Sequence, residues 1–268
     1  MDVKYLIADS GGSSTTWALV FRNNEVTVVR TGSLHPKYAF SDSALQEELR
    51  KQFGRLNAPL YFYGSGCSSE AVQQEMKAFL KEAGFSEVEV YPDTLAACRA
   101  LYGNKAGWVG ILGTGSVLVQ TDGSKIIQRI GGYGSLVGDE GSGFYFGKLL
   151  VRFLLETPEW EASWTKQFGS KEAILSKLAG ADAQKWIAGL AFETAQLNFD
   201  FLHRENAELF LNAYCSKISD LEEIAFIGTY GFEQRKVFAE TFQKQKIRIK
   251  KCLADPMDDL LHYYRMNE

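Results

Sequence analysis

Tyr5-Leu6-Ile7-Ala8-Asp9-Ser10-Gly11-Gly12-Ser13-Ser14-Thr15-Thr16-Trp17-Ala18-Leu19-Val20-Phe21 reads as two apolar strands joined by a turn of glycine and hydroxyl residues. Asn23-Asn24 then marks a tight turn into a third strand, Val26-Thr27-Val28-Val29. The same order returns in the second half of the chain. Val109-Gly110-Ile111-Leu112 is a strand, Gly113-Thr114-Gly115-Ser116 a turn, Val117-Leu118-Val119-Gln120 a strand, Asp122-Gly123 a hairpin turn and Ile126 to Ile130 a strand. Each meander is followed by alternating helical and extended segments: helical spacing over 43–53, 69–83 and 94–102 with strands at 60–63 and 88–91 in the first half. In the second half a helical stretch over about 144–217 precedes strands at 224–227 and 247–250, a helix after Gly231 and another after Pro256. A three-strand meander followed by helices and strands, occurring twice, predicts a duplicated α/β fold of mixed sheets flanked by helices. The expected boundary lies between domains 1–104 and 105–268, with a ligand cleft between them and the terminal helix free to pack back on the first.

With 268 residues, 46% hydrophobic and 13% aromatic, the chain is long enough to bury a large core in one or two domains. The net charge of −4 excludes a general attraction to nucleic acid or an anionic membrane, so any phosphate must be held locally by backbone amides, hydroxyls or metal. The first residues lack the basic start and apolar core of a secretory signal, and no apolar run nears the roughly 18 residues that span a bilayer. The expectation is a soluble, cytoplasmic protein. Cys67, Cys98, Cys215 and Cys252 are scattered without a Cys-x-x-Cys pair, which suggests ordinary thiols in place of a zinc site or disulfide framework.

Glycine density identifies the second informative stretch, Gly131-Gly132-Tyr133-Gly134-Ser135-Leu136-Val137-Gly138-Asp139-Glu140-Gly141-Ser142-Gly143. Such a run gives up side-chain burial for positive φ angles or close backbone approach to a ligand, with two carboxylates placed where that approach occurs. The turns Gly11-Gly12-Ser13-Ser14-Thr15 and Gly113-Thr114-Gly115-Ser116, in matching places, can each offer amides and hydroxyls to a phosphate. Neither is a Walker or dinucleotide fingerprint, since each leads into a strand. One such turn alone would read as a plain hairpin; two in equivalent positions favour a phosphate clamp.

These residues resemble the actin, hexokinase and Hsp70 superfamily, and within it the N-acetylglucosamine kinases and the related ATPases that activate 2-hydroxyacyl-CoA dehydratases and benzoyl-CoA reductases. The resemblance runs almost the whole length, through Asp9-x-Gly-Gly-x-x-x-Thr16, Asp93 with Ala96-Ala97, Leu112-Gly-Thr-Gly-Ser116, Gly131-Gly-Tyr-Gly134, Gly138-Asp-Glu-Gly-Ser142 and Ile227-Gly-Thr-Tyr-Gly231. It implies a duplicated ribonuclease H-like fold and an ATP-dependent kinase using Mg²⁺. By resemblance Asp9 holds the Mg²⁺, usually through water, although an Asp can also cap its own turn. Asp93 corresponds to the catalytic base that accepts the proton of the attacking sugar hydroxyl, although Asp also suits a helix N-cap. Asp139 corresponds to a ligand of sugar hydroxyls, with Gly132, Tyr133 and Thr114 lining the pocket and Glu140 in support; a solvated loop acid is the alternative. Gly228 and Thr229 correspond to the turn that cradles adenosine, where Thr229 and Tyr230 replace smaller residues. His35 stands where the family carries an Asn that contacts the sugar or its acyl group, and it could equally be a turn residue. Ser65 is a second expected sugar contact. The implied partners are ATP and a small sugar, without nucleic acid or membrane, and the reading leaves room for a homodimer. N-acetylglucosamine, glucosamine or N-acetylmuramic acid fits the resemblance as acceptor. An ATPase that regulates a partner protein, or a binding module without turnover, is the competing class.

Overall fold

The computed structural model describes residues 2–12, 14–160, 162–194 and 197–267. The chain divides into two compact units, one of Met1–Lys105, Asp122–Ile126 and Pro256–Glu268, the other of Ala106–Thr121 and Ile127–Asp255.

In the first unit β1 (Val3–Ser10), β2 (Ser14–Phe21) and β3 (Val26–Gly32) form the antiparallel meander, and β4 (Leu56–Gly64) and β5 (Phe85–Pro92) extend the sheet in parallel, in the order β3-β2-β1-β4-β5. Central β1 is covered on both faces, and Leu6, Ile7 and Ala8 are fully buried. That is why it reads as an unbroken apolar run, whereas edge strand β3 mixes half-buried and exposed positions and buries none fully. Four helices follow in sequence: α1 (Pro36–Ala39), α2 (Ser43–Phe53), α3 (Glu70–Glu82) and α4 (Asp93–Tyr102). Asp42 caps α2 by accepting from the Ala44 amide at 3.0 Å, and Gly54, at φ 68°, ends it. Trp17 and Phe85 stack at 5.5 Å at the centre of this core.

In the second unit β6 (Gly107–Leu112), β7 (Ser116–Thr121), β8 (Ile126–Gly131), β9 (Glu223–Ile227) and β10 (Arg248–Leu253) lie in the order β10-β9-β6-β7-β8. Read from its meander edge, this is the order of the first unit. The long helical stretch resolves into α5 (Gly143–Glu156), α6 (Ala162–Phe168), α7 (Lys171–Leu178), α8 (Ala183–Glu193), α9 (Asp200–Ala213) and a 3₁₀ turn at Cys215–Lys217. Next come α10 (Thr229–Glu233) and α11 (Arg235–Lys244), while α12 (Met257–Met266) belongs to the first unit and packs on α4 there. Phe210, Phe226, Phe238 and Phe242 are fully buried in the core between the sheet and α9 and α11. Gly110 admits the Phe226 ring, which a Cβ there would approach to 2.5 Å.

Two local expectations change. The helix expected after Gly231 begins at Thr229, because Gly231 lies directly over Leu112, whose Cβ a methyl group would meet at 2.9 Å, and the chain must already be turning there. The segment after β3 forms a short helix, α1, with His35 at its N-cap. Cys67, Cys98 and Cys215 are buried and Cys252 half-buried, all as free thiols. Among the described residues no helix is long and apolar enough to cross a membrane.

Candidate functional site

Strand register assembles the first group. Asp9 pairs with Tyr63 across β1 and β4, and Tyr63 with Tyr91 across β4 and β5, so the three occupy one row; Ser10, Gly64 and Pro92 form the next. Ser65 and Asp93 follow immediately, which puts Asp9, Ser65 and Asp93 at the carboxyl ends of three adjacent parallel strands. That is where open α/β sheets place ligands. Asp93 is the first residue of α4, with Pro92 at the N-cap, and its Oδ1 accepts from the Thr94 amide at 2.8 Å. Burial, with the Asp93 charge adding to it, pushes the Cys67 thiol up to about 12.

A network of hydroxyls fixes the turn after β1. Ser10 Oγ accepts from Thr15 Oγ1 at 2.8 Å and from the Leu34 amide at 3.1 Å, Ser33 Oγ donates to the Gly11 carbonyl at 2.7 Å, and the Ser65 amide donates to the Ser10 carbonyl at 2.8 Å. Thr15 is therefore buried as a brace, while Gly12 and Ser14 are exposed and Gly11 half-buried. Ser13, also assigned to this turn, lies outside the described residues. His35 is half-buried, and its Nδ1 accepts from the Lys37 amide at 3.2 Å, as a turn residue does. Its ring packs against Gly66, where a Cβ would come within 2.9 Å of Nε2.

The second group forms around β6, β7 and the glycine-rich loop. Ser142 caps α5, its Oγ accepting from the Tyr145 amide at 3.1 Å. The Gly143 and Phe144 amides, which the helix itself leaves unpaired, donate to the carbonyls of Gly113 and Thr114 at 2.9 and 3.2 Å. The turn is thus held on the helix N-terminus. Asp139, at φ 70°, is only 6% exposed; its Oδ1 accepts from the Ser116 amide at 3.1 Å and its carboxylate lies against Gly115. Burial raises its pKa above the ordinary carboxylate range, against the lowering effect of the Ser116 amide bond. Asp139, Gly115 and Ser116 therefore come together, and the Ser116 hydroxyl donates to the Glu140 carbonyl at 2.7 Å. Thr114 is exposed, Gly132 half-buried at φ 70°, and Tyr133 is 66% exposed. Gly228, at φ 120°, sits 2.5 Å by its missing Cβ from the Leu112 carbonyl oxygen, a place only glycine can take, and exposed Thr229 opens α10.

Several supporting residues had no motif. Tyr214 accepts from the Asp139 amide at 3.1 Å and donates to Glu140 Oε2 at 2.7 Å; Asn206 accepts from the Gly141 amide at 2.9 Å. A signal for Asn206 exists in the helical spacing, since His203, Asn206, Ala207 and Phe210 share one buried face of α9 and two of the four are polar. Among the described residues no group of three His, Cys, Asp or Glu side chains is placed to hold a metal. A Mg²⁺ ion would rest on Asp9, water and phosphate oxygens, as suits an ion that keeps much of its hydration shell.

Two units of the same strand order, each with a glycine and hydroxyl turn between its first two strands, define the duplicated ribonuclease H-like fold of the actin-like ATPases. No family model matches the chain. The N-acetyl-D-glucosamine kinase of Dictyostelium discoideum is 27% identical over 208 residues, which is 71% of this chain and 63% of that protein, so the match spans less than two thirds of the relative. The crystal structure of a candidate N-acetylglucosamine kinase from Porphyromonas gingivalis superposes with a TM-score of 0.83 at 27% identity, covering 98% of this chain and 99% of that one. A second candidate N-acetylglucosamine kinase, from Chromobacterium violaceum, shares the fold with a TM-score of 0.70 at 20% identity over 98% and 99% of the two chains. Over most of its length the chain is thus similar to N-acetylglucosamine kinases, in sequence and in fold.

Proposed function

We propose that this protein is an ATP-dependent sugar kinase that transfers the γ-phosphate to a hydroxyl of an amino sugar, N-acetylglucosamine or a close relative. The observation that carries the reading is the strand register that gathers Asp9, Ser65 and Asp93 at the carboxyl ends of the adjacent parallel strands β1, β4 and β5. At a strand spacing of about 4.8 Å, β1 and β5 are roughly 10 Å apart, which suits separate tasks for the two carboxylates. Asp93 orients the acceptor hydroxyl and takes its proton as the oxygen bonds to the γ-phosphorus and the bond to the ADP oxygen breaks. Gly12, Ser14, Thr114 and Gly115 are assigned to the phosphates, while the amides of Gly11, Gly113 and Ser116, already bonded within the protein, shape the two turns, and Gly228 and Thr229 border the nucleoside. Mg²⁺, when held near Asp9, supplies charge neutralisation on the phosphate oxygens. Asp139, Thr114, Gly132, Tyr133 and Ser65 are assigned to the sugar. With Nδ1 accepting from the Lys37 amide, the His35 ring carries its proton on Nε2 and has a donor for a substrate oxygen such as an acyl carbonyl.

A coupled ADP-release assay across hexoses and amino sugars tests the reading. Release that depends on an amino sugar supports it. Turnover indifferent to every sugar but responsive to a protein partner overturns it in favour of a regulatory ATPase.

A further inference from the structure

The two ligand-facing segments of the second unit are tied together beneath the surface. Asn206 Nδ2 donates to the Ser142 carbonyl at 2.9 Å and to Tyr230 Oη at 3.0 Å, while its Oδ1 accepts from the Gly141 amide. Tyr230 Oη also lies 2.9 Å from His203 Nδ1, and the His203 ring stacks on Phe146 at 3.9 Å. Asn206 and Tyr230 are at most 1% exposed and His203 6%. Because the Tyr230 oxygen accepts from Asn206, its own proton points to His203 Nδ1, which fixes the imidazole tautomer with hydrogen on Nε2. Desolvation keeps that ring neutral by lowering its pKa to about 4. A side chain larger than the turn calls for is thereby explained: Tyr230 drops from the Gly228 turn onto His203 and Asn206 of α9, and Asn206 in turn holds the Gly138–Ser142 loop.

We propose that Asn206, Tyr230 and His203 are positioning residues, a buried polar link through which the turn assigned to the nucleotide holds the loop assigned to the sugar. The proposal rests on the kinase reading for its kinetic consequence and on geometry alone for the link. Removing one hydroxyl with Tyr230→Phe should raise KM for the sugar about three- to tenfold, the worth of one buried hydrogen bond, with kcat within about twofold. Exchange of the amides in residues 138–143 should quicken in the same variant. His203→Gln, whose amide oxygen can still accept the tyrosine proton, should keep the wild-type KM, whereas His203→Leu should behave like Tyr230→Phe. Phe242→Leu, a core change away from the link, should lower Tm without moving KM. Unaltered exchange over 138–143 in both Tyr230→Phe and Asn206→Asp overturns the link, and faster exchange with unchanged KM overturns the positioning role. Should the wild type release ADP with no sugar at all, the kinase reading fails and the exchange measurement still decides whether the link exists.

Discussion

Asp93 and His203 show how environment divides labour among titratable side chains. Asp93 opens α4 at the end of a parallel strand, half-buried and held through one oxygen by the Thr94 amide. Replacing this Asp with Asn keeps the shape and removes the basicity, so Asp93→Asn should lower kcat about 10²–10⁴-fold while sugar and nucleotide still bind. Near-wild-type turnover in single-turnover assays would exclude the role. His203 is the opposite case, a buried imidazole whose folded pKa, about 4, lies below its unfolded value of 6.5 because burial outweighs the attraction of Asp200. The unfolded chain binds the extra proton between those values. Stability from the neutral ring is therefore complete above pH 6.5 and is lost as pH falls toward 4, by about 3 kcal/mol in all. His203→Gln should lack that slope. Denaturant midpoints of wild type and variant that run parallel from pH 7 to 4 would contradict the assignment.

Helix packing at the element scale turns on single glycines. Gly147 of α5 faces α8, where an added Cβ would sit 2.8 Å from Ile187 Cγ2 and closer still to the Ile187 carbonyl oxygen. Gly147→Ala gains about 1 kcal/mol of helix propensity but meets backbone that cannot rotate aside, and overpacking of that kind costs typically 1–3 kcal/mol or more. The loss wins, so the urea midpoint should fall; an unchanged or higher midpoint would mean that α5 and α8 can separate freely. This contact was not legible in the sequence, because it depends on which helices of the 144–217 stretch become neighbours. Periodicity, by contrast, is a local property. It exposed both meanders, α2 with its own boundaries, the strand that carries Asp9 and the strand that leads into Asp93, since covered strands must read as apolar runs. The glycine turns were legible for the same reason. The brace of Ser10, Ser33 and Thr15 was not, nor the grip of Tyr214 and Asn206 on the acidic loop, because a hydrogen bond between residues 65 or 75 positions apart leaves no spacing to read. His35 stood at a position visible in the sequence, and its N-cap role came from a helix of four residues too short to show a period.

Duplication sets the organisation of the whole molecule: β1-β2 and β6-β7 are the same hairpin built twice, one in each unit, and each places its glycine and hydroxyl turn after its first strand. The internal bonding of the two turns differs. In the first, Ser10, Thr15 and Ser33 brace the turn from below; in the second, the Asp139 carboxylate takes the Ser116 amide and α5 takes the carbonyls of Gly113 and Thr114. If both turns hold phosphate, nucleotide must protect the amides of each. Binding to the folded state alone adds about 2.7 kcal/mol at a hundredfold excess over Kd, ample to slow local opening wherever the ligand makes contact. Hydrogen exchange with a non-hydrolysable ATP analogue and Mg²⁺ should therefore show protection over residues 10–15 and again over 113–117, and chelating the metal should weaken both. Sugar alone should protect the 132–140 segment and leave 10–15 unchanged. Protection confined to one turn at saturating nucleotide would remove the other from phosphate binding and leave it as an ordinary hairpin.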